Sequence, residues 1–167
     1  MRLRTGGLFL FSWLAVSQAL AQQARPGVLS SDEISHAAPS VYFFRGQTAT
    51  VQLRNTVGFR VEGDRLVLAG LVDTGGYSTD VKAKYQGFLI TEVQLTVEGK
   101  ELRPGQYGFG FSKEDEFLVM DVGANDLLRA PAHVDEKLQR PRPLRIQEDS
   151  SGYRLYAGRQ WVNLKVE

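Results

Sequence analysis

Four side chains near the C-terminus, Arg154, Tyr156, Trp161 and Asn163, are of the types that hold flat polar ligands. Pairing Tyr156 with Trp161 across the turn Ala157-Gly158-Arg159-Gln160 puts all four on one face of a hairpin. On that pairing, Tyr156 and Trp161 supply stacking surface. Arg154, Arg159 and Asn163 orient a sugar or other planar ligand by hydrogen bonds. The opposite face, Tyr153, Leu155, Val162 and Leu164, is apolar and reads as core. Other chemistries find less support. His133-Val134-Asp135-Glu136 brings one nitrogen and two carboxylates together, but the only other histidine is His36, out of register for a metal. We therefore expect no metal and no cofactor. Gly105-Gln106-Tyr107-Gly108-Phe109-Gly110 contains Gly-x-Gly but runs into a strand pattern, so it builds no phosphate cradle. There is no Gly-x-Ser-x-Gly nucleophile elbow. The run Arg140-Pro141-Arg142-Pro143-Leu144-Arg145 is a stiff basic connector that suits contact with anionic envelope polymers.

The elements that must position these residues follow from composition and pattern. The chain has 167 residues, 20 Lys+Arg against 19 Asp+Glu, and no cysteine. That balance argues against a nucleic-acid partner, and the missing cysteine excludes a disulfide scaffold. Arg2 and Arg4 precede the apolar run Leu8–Val16, which ends in Ala19-Leu20-Ala21. This is the pattern of a cleaved secretory signal peptide over residues 1–21, too short for a membrane anchor. The expected location is periplasmic or secreted, with no integral membrane segment after cleavage. Residues 22–40 lack an apolar period and read as a flexible leader.

Residues 41–167 form one β domain on this reading. Candidate strands are Val41–Phe44, Ala49–Arg54, Gly58–Val61, Leu66–Val72, Phe88–Val97, Gln106–Phe111, Phe117–Val122, Leu144–Gln147, Tyr153–Tyr156 and Trp161–Val166. Glu62-Gly63-Asp64, Glu98-Gly99-Lys100, Pro104-Gly105 and Ser151-Gly152 are the turns between them. Ser78–Gln86 and Asn125–Leu138 are the only helical candidates, the second broken by Pro131. Pairing Phe111 with Phe117 predicts a hairpin apolar on both faces, hence central and covered on both sides. The expected fold is an antiparallel β-sandwich or flattened barrel of about ten short strands.

Two resemblances add to this. Leu71-Val72-Asp73-Thr74-Gly75-Gly76 resembles the catalytic loop of retroviral-type aspartic proteases. It implies Asp73 as a catalytic carboxylate braced by Thr74 and Gly75, in a homodimer whose two acids share a proton. Asp121-Val122-Gly123 loosely resembles that family's later apolar-Gly segment. The stretch available for that family's glycine-rich flap, Ser78 to Glu92, has only one glycine, Gly87, and the chain runs well past the point where that family ends. Leu102-Arg103-Pro104-Gly105-Gln106-Tyr107 looks like a turn-and-strand of exported bacterial β-sandwich domains. Residues 51–166 resemble small exported bacterial proteins of unassigned function, on Leu68–Gln86, Gly108–Phe111 and Tyr153–Arg159. That resemblance implies a β-sandwich and export, and brings no catalytic residues.

The leading expectation is thus an exported, non-enzymatic binding domain of the bacterial envelope. Its partner is a small molecule, a glycan or an envelope protein. The alternatives are an aspartic endopeptidase acting through Asp73 and a purely structural envelope component that pairs by an edge strand.

Overall fold

The computed structural model describes residues 25–167, so the expected signal peptide lies outside the described residues. Strands are numbered along the chain. An eight-stranded antiparallel sheet holds β1 (Gly27–Val28), β2 (Val41–Phe44), β3 (Gln47–Arg60), β4 (Leu66–Val72), β5 (Gly87–Thr91), β8 (Gly105–Phe111), β9 (Glu116–Met120) and β10 (Asp126–Pro131). A six-stranded sheet holds β6 (Leu95–Val97), β7 (Lys100–Leu102), β11 (His133–Val134), β12 (Arg142–Asp149), β13 (Gly152–Gly158) and β14 (Gln160–Val166). Among the described residues no helix is long and apolar enough to cross a membrane.

The two sheets share one core. Phe59, Phe109, Phe117 and Val119 come from the first sheet, and Leu155, Val162, Leu164 and Leu95 from the second. All eight are fully buried, each contributing roughly 1.5–3 kcal/mol of apolar burial. Phe59 of β3 stacks on Tyr153 of β13, ring centres 3.7 Å apart, and so joins the layers directly.

The outer face of the first sheet is also covered. Tyr42, Phe44, Ala49 and Val51 of the β2–β3 hairpin form a second core with Tyr77, Tyr85 and Phe88. Glycine makes that approach possible. A Cβ on Gly108 would lie 2.3 Å from the Phe44 ring, and one on Gly110 would lie 2.2 Å from the Lys84 carbonyl oxygen. The alternation of bulk and glycine along β8 is thus the print of a covering layer. The register Phe111↔Phe117 and Phe109↔Val119 is the one the sequence predicts, and the hairpin lies inside the sheet.

Several segments differ from the sequence reading: the described residues form fourteen strands where about ten were expected, and Ala49–Arg54 and all but the last residue of Gly58–Val61 lie in one continuous strand, β3. Phe88–Val97 is two strands in different sheets, β5 and β6. The chain turns the corner at Thr91, whose hydroxyl donates to the Val93 carbonyl at 2.6 Å and accepts from the Val93 N–H at 3.2 Å. Asn125–Leu138 holds β10 and β11 rather than a helix. Pairing with β9 and β14 outweighs local helix preference, and Pro131 ends an edge strand where its missing N–H costs nothing. Ser78–Gln86 keeps a single helical turn, α2 (Thr79–Lys82). Residues 22–40, read as a flexible leader, contain β1 and helix α1 (Ser31–Ala37). Ser30 and Glu33 form a reciprocal capping box at its start, and Leu29 and Ile34 anchor the segment in the second core. Two buried apolar anchors in a polar stretch suffice here, and too few apolar residues recur to make a visible period.

Candidate functional site

Strands β13 and β14 pair as expected, with Tyr156 opposite Trp161 and Arg154 opposite Asn163. This places Arg154, Tyr156, Trp161 and Asn163 on the face of the second sheet turned away from the shared core. A polar chain runs through that face. The Asn163 amide donates to the Ser151 hydroxyl at 2.7 Å, and that hydroxyl donates to Asp149 Oδ1 at 2.7 Å. Asp149 Oδ2 lies 2.6 Å from Arg154 Nε. The Arg154 guanidinium in turn sits 4.3 Å from the centre of the Trp161 ring. The Ser151 hydroxyl and N–H, with Arg154 adding, hold the Asp149 carboxyl below its ordinary range. The same contacts favour the ionised carboxylate, which pairs with Arg154 while the guanidinium lies over the indole.

The other side of Trp161 belongs to β11. His133 lies directly across from Trp161 in the ladder and stacks on it, ring centres 4.5 Å apart. His133 Nε2 lies 3.2 Å from Glu98 Oε2. The second Glu98 oxygen accepts the backbone N–H of Asn163. Glu98 stands at the β6–β7 turn, where it and Gly99 both adopt positive φ. From there its carboxylate spans the point where β14 exchanges β11 for β6 as its neighbour.

The expected residues thus separate by role. Trp161 is half-buried and flanked by a cation and an imidazole. Arg154 and Trp161 together line two shallow concavities, of about 580 Å³ toward Asn163 and Glu98 and about 460 Å³ toward Asp135 and Glu136. Tyr156 shares the face but is only 3% exposed, so it packs between its neighbours rather than offering a stacking surface. Arg145 of β12 adds a guanidinium 5.6 Å from its ring. Arg159 points along the hairpin tip, donating to the Glu136 carbonyl at 2.6 Å. It pins the connection 135–141, which must cross from β11 beside β14 to β12 beside β13. His133 and Glu98 are site residues the sequence reading did not place. They are 35 positions apart and meet only because β11 and the β6–β7 turn both reach β14.

Asp73 lies elsewhere, exposed after the end of β4. Its Oδ1 accepts the Gly75 N–H at 2.9 Å, the hydrogen bond of an Asx turn. The Thr74 carbonyl accepts the Tyr77 N–H at 3.0 Å, leading the chain into α2. Among the described residues no three His, Asp or Glu side chains gather as a metal site.

No protein-family model, curated protein or solved structure matches this chain.

Proposed function

We propose that this chain is an exported β-sandwich binding domain of the bacterial envelope, periplasmic or secreted, without enzymatic activity. Its ligand is a glycan or another flat, hydrogen-bonding molecule, received at the Trp161 face. The observation that supports this best is the fixed pairing of Arg154 with Trp161 between two concavities. A guanidinium held against an indole by Asp149 presents its outward N–H groups without the entropy cost of ordering a free arginine. The indole edge and the His133 ring add apolar contact beside it. Asn163, Ser151 and Glu98 supply donors and acceptors on one side, and Arg159 with the 135–141 connection shapes the other.

The endopeptidase alternative asks two copies to bring their Asp73 carboxylates together. The Gly75-to-Asp73 hydrogen bond supports a turn role for that residue instead. The structural alternative asks for a partner strand and no small ligand.

Fluorescence separates these readings. Trp161 is the only tryptophan outside the expected signal peptide, the other being Trp13. Titrating a panel of neutral and acidic glycans should change Trp161 emission saturably for at least one class. Arg154→Ala should weaken that binding about tenfold or more. A silent panel, together with acid-dependent peptide cleavage lost in Asp73→Asn, would replace this reading by the endopeptidase.

A further inference from the structure

Away from the Trp161 face, β3 and β12 leave an open groove of about 550 Å³ between the two sheets. Both of its walls are bulged strands. On β3 the register with β4 slips between Val51↔Val72 and Thr56↔Gly70, so that residues 52–55 face Leu71 alone. The Thr56 hydroxyl donates to the Gln52 carbonyl at 3.1 Å and the Asn55 amide to Gln52 Oε1 at 2.8 Å, which hold the bulge in place. On β12 the register with β13 slips between Arg142↔Gly158 and Arg145↔Tyr156. Bulges re-aim side chains, and here they aim two arginines and a leucine, Arg54, Arg142 and Leu53, at one space.

The groove is apolar below and cationic at its rim. Leu29, Ile34, Leu144 and Ile146 line it as buried residues. They belong to both cores, so the groove marks the seam between them. Leu53 and Val28 stand 45% and 46% exposed at its mouth. Arg54 and Arg142 line it, with Arg145, whose guanidinium is turned toward the Tyr156 ring, and among the described residues no carboxylate lines it. Arg145 is engaged by Gln147 at 2.7 Å. Among the described residues, Arg54 and Arg142 have no acid within ion-pair distance.

From this placement we propose a second binding site, for a free single-chain amphiphile with an anionic head. The aliphatic tail lies on Leu29, Ile34, Leu53 and Leu144. The carboxylate or phosphate head sits between Arg54 and Arg142, where charge-assisted hydrogen bonds neutralise two cations. The volume falls in the range of small-molecule sites. A glycan would leave the apolar floor unused.

Laurate below its micelle concentration tests this on the full chain, by calorimetry, beside dodecanol, butyrate and anionic phospholipid vesicles. Saturable one-to-one binding of laurate is expected, at least tenfold tighter than dodecanol or butyrate. The double variant Arg54→Gln/Arg142→Gln should weaken laurate tenfold or more. Both side chains are exposed, so the fold should be kept, as circular dichroism checks. Leu53→Glu, equally exposed, should weaken laurate comparably by placing an acid at the mouth. Arg45→Gln, on the distant β2–β3 turn, should leave binding unchanged. Equal affinity for laurate and dodecanol, no laurate binding, binding only to vesicles, or laurate binding indifferent to the two rim variants would each overturn the proposal.

Discussion

Replacing Gly110 by alanine tests whether the β8 glycines exist to admit a covering layer. The new Cβ would sit 2.2 Å from the Lys84 carbonyl oxygen, about 1 Å inside ordinary contact, and that atom is backbone. The segment before β5 must therefore retreat. It is tied to β8 by three hydrogen bonds through Gln86: N–H to the Phe109 carbonyl at 2.8 Å, side-chain amide to the Phe111 carbonyl at 2.9 Å, and Phe111 N–H to the Gln86 side-chain oxygen at 3.1 Å. Overpacking costs about 1–3 kcal/mol, and stretching these bonds adds about 1 kcal/mol or more. The expected loss is roughly 2–5 kcal/mol, a large part of the roughly 5–15 kcal/mol of a typical domain. Gly99→Ala is the control. Gly99 has φ of +76° and nothing within 4 Å of the new atom, so only backbone strain of about 1 kcal/mol applies. Urea unfolding of both variants measures the difference. Equal losses, or a Gly110→Ala loss under about 1 kcal/mol, would refute the close-approach argument.

The buried tyrosines should respond unequally to loss of the hydroxyl. Tyr77 donates to the Phe44 carbonyl at 3.1 Å, so Tyr77→Phe should cost about 1 kcal/mol, whereas the buried Tyr42 hydroxyl has no hydrogen-bond partner among the described residues and Tyr42→Phe should be neutral or stabilising in the same denaturation assay. The ring of Tyr42, stacked 5.2 Å from Phe88, is retained in either case. Glu33 gives a pH dependence. The Ser30 N–H and hydroxyl, then Arg60, pull its carboxyl from 4.5 down to about 2. A carboxyl depressed on folding contributes stability that is complete above its ordinary value and is lost as pH falls toward 2. Protection of the α1 amides, relative to the intrinsic exchange rate at each pH, should therefore be higher at pH 5 than near pH 2, and Glu33→Gln should flatten that difference.

Local chemistry was legible and long-range closure was not. The turn residues of the last hairpin, with the alternation on either side, are enough to register Tyr156 on Trp161 and so to put Arg154 and Asn163 on one face. The glycines of β8 tell of a covered sheet, without naming Phe44 and Lys84 as what covers it. The bend at Thr91 was invisible because Leu89, Val93 and Leu95 stay apolar through it, while the hydrogen bonds that make the corner come from one threonine. Asn125–Leu138 carries residues acceptable in a helix, and only the waiting edges of β9 and β14 decide for strands. Glu98 read as a turn residue, which it is. Its bridge from His133 to the backbone of Asn163 depends on three segments that meet only in the folded chain. Tyr156 shows the limit of face assignment: alternation says which way a side chain points, and packing says whether anything can reach it.

The connection 135–141 has a wider consequence. It is anchored at its start by β11 and by Arg159, at its end by β12, and carries none of the fully buried core residues between. Lengthening or exchanging it leaves both interiors intact while redrawing one wall beside Trp161. The architecture thereby separates the parts that must stay constant from a strap free to vary.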